Sequence, residues 1–294
     1  MRQGINLNFV RKRRNGPDRS LREALILCRN SGFSLVDYLS AVETPDWREQ
    51  AERTREEMAE LGIRVHQSHC PFFRYRKKGR ELFEQYAPRA VKAAEILGAK
   101  FLVIHADECR SEDSFDSGEI LRETCALLAP VVELCVKAGI RPAIENLFED
   151  GFGPQFGGRS RFTAVTEEVL ALLEAFRGSG IGCCWDSGHA LCSYGEGAPE
   201  ELEKLSDHLL CTHMHDNSCR QDQHKPAYFG SLNWERVIEI LKRSGYSGDW
   251  TWEFVYERFP DELLPEFLRF VHQTGEYLIR SGFPDGPGAE KEGA

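Results

Sequence analysis

The chain has 294 residues, 41% hydrophobic and 29% charged, which is enough apolar side chain for a large core and enough charge for a well-solvated exterior. A formal net charge of -10 argues against a general nucleic-acid binder, because such affinity comes from Lys and Arg neutralising phosphates. No charged and apolar leader opens the sequence and no apolar run is long enough to span a bilayer. The expectation is a cytoplasmic protein whose ten cysteines are reduced and mostly buried.

Short apolar runs ending in polar residues alternate with stretches of helical periodicity, the pattern of repeated βα units. The first run is Gln3 to Phe9, followed by the basic Arg11-Lys12-Arg13-Arg14, either a loop that embraces a phosphate or a solvated one. Phe33 to Tyr38 is the second strand and Arg64 to Ser68 the third. A helix over Leu82 to Leu97 leads to the fourth, Phe101 to His105, and a helix over Ser117 to Ala138 to the fifth, Arg141 to Glu145. Gly182 to Asp186, Leu209 to His215, a helix over Trp234 to Arg243 and a strand Trp250 to Val255 complete the series. Gly32, Gly62, Gly98, Gly139, Gly180 and Gly248 each precede a strand, where a left-handed cap ends a helix. Eight strand-helix pairs without an internal low-complexity linker favour the α/β class and a single-domain (β/α)8 TIM barrel over 1–283, rather than an open doubly wound sheet. Pro284 to Ala294 reads as a flexible tail.

In such a barrel chemistry collects at the carboxyl ends of the strands, and here those ends are repeatedly His, Glu and Asp. His66 and His69 follow strand three, His105 ends strand four and Glu145 ends strand five. Asp186 and His189 follow on strand six, His213 and His215 on strand seven, Asp222 and His224 on the next loop, and Glu253 on strand eight. Seven of the nine histidines thus map to one rim, with His66 read as structural because its spacing from His69 puts the two on opposite faces. Imidazole with carboxylate suits Zn, Mn, Co or Fe. Glu145 and Glu253 follow apolar runs, where an unpaired charge is costly to bury, so each is read as a ligand rather than a turn cap. Asp186 is read as a ligand that also has the form of a helix cap. His213 and His215 share a face, so one can ligate while the other packs.

Ile144-Glu145-Asn146, Asp186-Ser187-Gly188-His189, His213-Met214-His215-Asp216-Asn217, Asp222-Gln223-His224 and Trp252-Glu253 together resemble the xylose isomerase-like barrel superfamily of sugar and sugar-phosphate isomerases, epimerases and endonuclease IV enzymes. By resemblance to the ketose epimerase branch, Glu145, Asp186, His213 and Glu253 hold one divalent metal, His213 being preferred to His215 because Asp216 follows it three residues on. The endonuclease IV branch binds three zinc ions, and its additional ligands correspond to His69, His105, His189, Asp222 and His224. The expected cofactor is therefore one to three ions of Mn, Co or Zn. The stretch after Glu145, Asn146-Leu147-Phe148-Glu149-Asp150-Gly151, lacks the substrate-contacting arginine and glutamate of ketose epimerases.

The resemblance implies an isomerase or epimerase of a sugar or sugar phosphate, working by proton transfer through an enediolate. Glu145 and Glu253 would be the acid-base pair, His189 would orient a substrate hydroxyl and Arg220 would hold its far end. The rivals are a metal-dependent sugar dehydratase or lyase, and an abasic-site phosphodiesterase with a multi-zinc cluster. The partner implied is a small carbohydrate, with no membrane, no nucleic acid and self-association left open.

Overall fold

Val, Ile, Leu, Cys and Trp fill the apolar strand positions, and strands buried on both faces pair in parallel with helices packed outside them. In the computed structural model, which describes residues 1–72, 79–106, 115–149, 161–218 and 221–282, the strands are β1 (Gln3–Asn6), β2 (Leu35–Tyr38), β3 (Arg64–His69), β4 (Phe101–Ile104), β5 (Arg141–Glu145), β6 (Gly182–Asp186), β7 (Leu209–Met214) and β8 (Trp250–Trp252). They pair in sequence order, and β8 returns to β1 with Gln3 opposite Trp250 and Ile5 opposite Trp252, closing the sheet into an eight-stranded parallel barrel. The helices are α1 (Leu7–Arg11), α2 (Leu21–Asn30), α3 (Trp47–Glu60), α4 (Arg80–Leu97), α5 (Ser117–Ala138), α6 (Thr166–Ala175), α7 (Ser187–Tyr194), α8 (Ala198–Leu205), α9 (Trp234–Arg243) and α10 (Leu264–Gly282). The architecture is a single-domain TIM barrel.

Several strands stop earlier than the apolar pattern does. The run from Gln3 to Phe9 divides at Asn6, whose side chain accepts the Phe9 amide and caps α1. Beyond Trp252 the run to Val255 leaves the sheet, and Glu253, Phe254 and Val255 are loop, with Glu253 lining the cavity at the barrel mouth and Phe254 packed in the core. His105 and His215 likewise stand just past their strands. Before β8 the left-handed turn falls on Gly245 (φ 70°), not on Gly248.

His66 does not belong to the carboxyl rim. Val36 pairs with Val65 and Asp37 with Gln67, so His66 is the extra residue of a β-bulge. Its Nε2 lies 2.9 Å from Asp249, just before β8, and Arg2 holds the same carboxylate at 3.0 Å. This cluster closes the amino-terminal end of the barrel and leaves six of the nine histidines on the rim.

All eight cysteines among the described residues are free, and burial pushes the thiols of Cys28, Cys135 and Cys192 up to about 12, so they pack as small hydrophobes. Among the described residues no helix is long and apolar enough to cross a membrane. The tail call, 284–294, lies outside them. In the basic loop after α1, Lys12 pairs with Asp18, Arg13 with Glu23 and Asp261, and Arg11 donates to a backbone carbonyl. Three of the four basic residues thus have partners within the protein, and Arg14 is exposed.

Candidate metal centre

The register of the barrel places the chemistry. Asp186 is directly opposite His213 on the neighbouring strand, Glu145 ends β5, and Glu253 follows β8. Asp186 fills both roles expected of it: it caps α7, accepting the His189 amide at 2.7 Å, and still faces the histidines of the β7 end. All four side chains are buried.

His213 is the hub. The amide of Gln67 donates to Thr251 Oγ1 and the Thr212 carbonyl, which turns the Gln67 oxygen toward His213 Nε2 at 3.1 Å and puts a proton on that nitrogen. His213 Nδ1 therefore carries the lone pair of the neutral ring. It has no hydrogen-bond partner, and it faces Glu145 at 3.2 Å, Glu253 at 3.7 Å and Asp186 at 4.0 Å. A buried lone pair among carboxylates is tolerable only if a cation stands between them, either a proton on Nδ1 or a metal ion. Without a metal, the ring stays protonated: burial opposes its charge, but Glu253 and Glu145 hold its pKa well above the ordinary value. Three carboxylate oxygens and one imidazole nitrogen form a donor set that fits Mn, Co or Zn.

The other rim residues interlock around this hub. Glu145 touches His105 at 3.0 Å and His189 at 3.2 Å; burial opposes its ionisation, yet His105 and His213 hold its carboxyl well below the usual range. His189 donates from Nδ1 to the Asn146 carbonyl and presents Nε2 to Asp222 at 3.6 Å. His215 bonds Asp186 through Nε2 at 3.0 Å and stacks on His224 at 4.0 Å. His224 holds an uncommon positive φ of 46°, gives Nδ1 to the Glu253 carbonyl at 3.0 Å and Nε2 to Asp222 at 3.0 Å. Both nitrogens face acceptors, so despite burial the ring is raised to about 9, chiefly by Asp222. Mutually close donors, within 4.8 Å of one another, form overlapping sets: Asp37, His69, His213 and Glu253; His69, His105 and Glu145; Glu145, Asp186 and His189; His215, His224 and Glu253. The predicted quartet is thus linked through His213 rather than gathered as one such set.

The loop carrying Asp222 and His224 is built by its own polar side chains. Asp216 and Lys225 exchange backbone hydrogen bonds at 2.8 Å, and Asn217 accepts the amides of Gln223 and His224. The Asp216 carboxylate is occupied by the Asn217 and Leu232 amides and by Trp234 Nε1. Arg220 lies outside the described residues.

The sequence reading missed two members of the site. Asp37, fully buried at the end of β2, bonds His69 Nε2 at 2.8 Å and has one oxygen without a partner. It shows the same signal that singled out Glu145, a carboxylate ending an apolar run. Asn6 donates to Asp37 at 2.8 Å and to Glu253 at 2.7 Å, holding the two carboxylates apart. Above these groups opens a cavity of about 330 Å³, within the size range of small-molecule sites. Its walls include Phe9, Phe72 and Phe148, with Phe72 stacked on His105 at 4.1 Å and Phe148 on His189 at 4.7 Å.

A model of the xylose isomerase-like TIM barrel family matches residues 25–273. The chain belongs to this family. It is 24% identical over 278 residues, 82% of this chain and 83% of the other, to the uncharacterized protein y4fM of Sinorhizobium fredii. Solved structures share the fold across nearly the whole chain. A D-tagatose 3-epimerase-like protein superposes with a TM-score of 0.75 at 19% identity, covering 96% of this chain and 99% of its own. An L-ribulose 3-epimerase does so at 0.77 and 14% identity, covering 100% and 99%.

Proposed function

We propose that this protein is a divalent-metal-dependent carbohydrate isomerase or epimerase, with the metal held by Glu145, Asp186, His213 and Glu253. The observation that carries the reading is His213 Nδ1, buried without a hydrogen-bond partner and facing those three carboxylates. The sugar 3-epimerases among proteins of the same fold support it. Bound there, a divalent ion supplies Lewis-acid stabilisation of the negative charge that develops on a carbonyl and its neighbouring hydroxyl.

The chain's own groups move the proton. Glu145 and Glu253 come from well-separated strands, flank His213 and both line the cavity. One takes the proton beside the carbonyl. Its return by the other carboxylate to the opposite face inverts the carbon, whereas return on the same face to the neighbouring carbon interconverts aldose and ketose. Asn6 holds Glu253 in place, His189 orients a substrate hydroxyl, and the phenylalanine walls exclude water from the deprotonated substrate.

A second reading, a hydrolase with a cluster of two or three zinc ions, is favoured by one observation: His69 and His105 share donor distance with Glu145, and Asp222 lies between His189 and His224. Elemental analysis of protein purified without chelator separates the two. One ion per chain, lost in the Glu145→Gln, Glu253→Gln double variant, is the outcome expected of an isomerase. Two or three zinc ions, partly lost on His69→Ala or His224→Ala, would favour hydrolysis, and no ion after reconstitution would exclude both.

A further inference from the structure

The outer face of the barrel carries an aromatic groove that the site at its mouth does not use. Its walls are Tyr228 and Phe229, from the loop before α9, and Phe270 and Tyr277 of α10, with Gln273 and Thr274 between them. Nine large hydrophobic side chains are exposed among the described residues, and these aromatics are four of them, each with 43% to 60% of its surface in solvent. Apolar patches of this kind, rimmed by polar residues, mark sites of association. Two details show that the groove is built rather than incidental. Phe229 meets Phe270 edge-on at 6.2 Å, so the loop and the helix form one surface. Tyr228 holds a φ of 70°, a left-handed conformation that bulky side chains rarely adopt. The backbone bears strain where glycine would fit, and an aromatic ring is presented to solvent there instead.

We infer that this groove is the interface of a two-fold dimer in which α10 packs antiparallel against α10 of a second copy. The outward face of the helix is self-complementary about its middle. Phe270 and Tyr277 flank Gln273 and Thr274 evenly, so inverting the helix sets Phe270 of each copy on Tyr277 of the other. Glu266 and Arg280, both exposed, stand seven residues to either side of Gln273. Glu266 lies four residues before Phe270 and Arg280 three after Tyr277, which puts both on the same flank of the aromatic stripe. Inversion therefore brings Glu266 of one copy within about 1.5 Å, along the helix axis, of Arg280 of the other, opposite charges facing at both ends. A membrane surface would call for an excess of Lys and Arg. Here the exposed charges of α10 balance, Glu266 and Glu276 against Arg269 and Arg280, on a chain of net charge -10. Local neutrality also lets two copies of an acidic chain approach.

Analytical ultracentrifugation of the full chain at micromolar concentration tests the assignment. The wild type is expected to be a dimer, and the Phe270→Glu, Tyr277→Glu double variant a monomer. Tyr228→Gly removes one ring while relieving the backbone, so it should weaken the dimer about tenfold with the circular dichroism spectrum unchanged. Glu266→Arg and Arg280→Glu should each weaken self-association by about tenfold, because like charges then face each other at both ends. An equimolar mixture of those two variants should dimerise as the wild type does, since opposite charges meet again at both positions, an effect that a merely structural role would not produce. A monomeric wild type, or a dimer that survives the double variant, overturns the proposal. So does a chain that dimerises only once residues 284–294 are removed, in which case its own tail covers the face. A mixture that stays as weak as its components overturns the antiparallel arrangement and the interface with it.

Discussion

His224 shows how much one residue is made to carry. Its backbone is in the left-handed region, its ring stacks on His215, and both ring nitrogens face acceptors. With an unfolded value near 6.5 and a folded value raised to about 9, the folded protein binds the extra proton throughout that window. Stability from this pair is therefore complete below pH 6.5 and lost as pH rises through 9, a few kcal/mol at most. Glu145, Asp186 and Asp222 are depressed, so their contribution is present above the ordinary carboxylate range and lost on acidification. Thermal melts of chelator-treated protein should accordingly peak between about pH 5 and 6.5 and fall on both sides. Asp216 offers a second prediction. Its carboxylate receives only donors, so Asp216→Asn turns an amide toward them and should cost about 1–3 kcal/mol in urea melts. Glu145, Asp186, His213 and Glu253 could be picked out from sequence because each is a polar group at the end of an apolar run. Asn6 could not, because it is neutral and acts only once β8 has closed beside β1.

At the scale of elements, two glycines divide what the backbone needs from what packing needs. Gly245 ends α9 with φ 70° and nothing within 4 Å of an added Cβ, so Gly245→Ala should cost only about 1 kcal/mol of backbone strain. At Gly188, near the start of α7, a Cβ would meet the His215 ring at 1.9 Å and the Asn217 amide at 2.6 Å. Gly188→Ala should therefore cost about 1–3 kcal/mol and also weaken binding of the proposed ion, since His215 bonds Asp186, one of the residues proposed to hold it; equilibrium dialysis with a divalent ion would read the second effect. The helices α5 and α9 were read with their true limits because an amphipathic stripe is periodic and ends at a glycine or serine cap. The apolar pattern runs past the strand ends at β1 and β8, because apolar residues continue into α1 after the one and into a loop after the other instead of pairing.

For the whole molecule, the site is a junction of eight strands, so an ion held there links parts of the barrel that are far apart in sequence. An ion present at about a hundredfold over its dissociation constant adds roughly 2.7 kcal/mol to unfolding. Chelation should lower the melting temperature by several degrees, and Mn, Co or Zn should restore it while Ca should not. Fold class followed from alternation along the chain, whereas the bulge at His66 depended on register between strands, which alternation does not encode. The pairing of β1 with β8 has a further consequence for synthesis on the ribosome. Gln3–Asn6 waits for partners at Trp250–Trp252, so until nearly the whole chain has emerged the nascent sheet has an open edge. Asn6, Asp37 and Glu253 join only when that edge closes. The chemistry should therefore appear late and all at once, and a chain stalled before residue 250 should be both inactive and prone to aggregate.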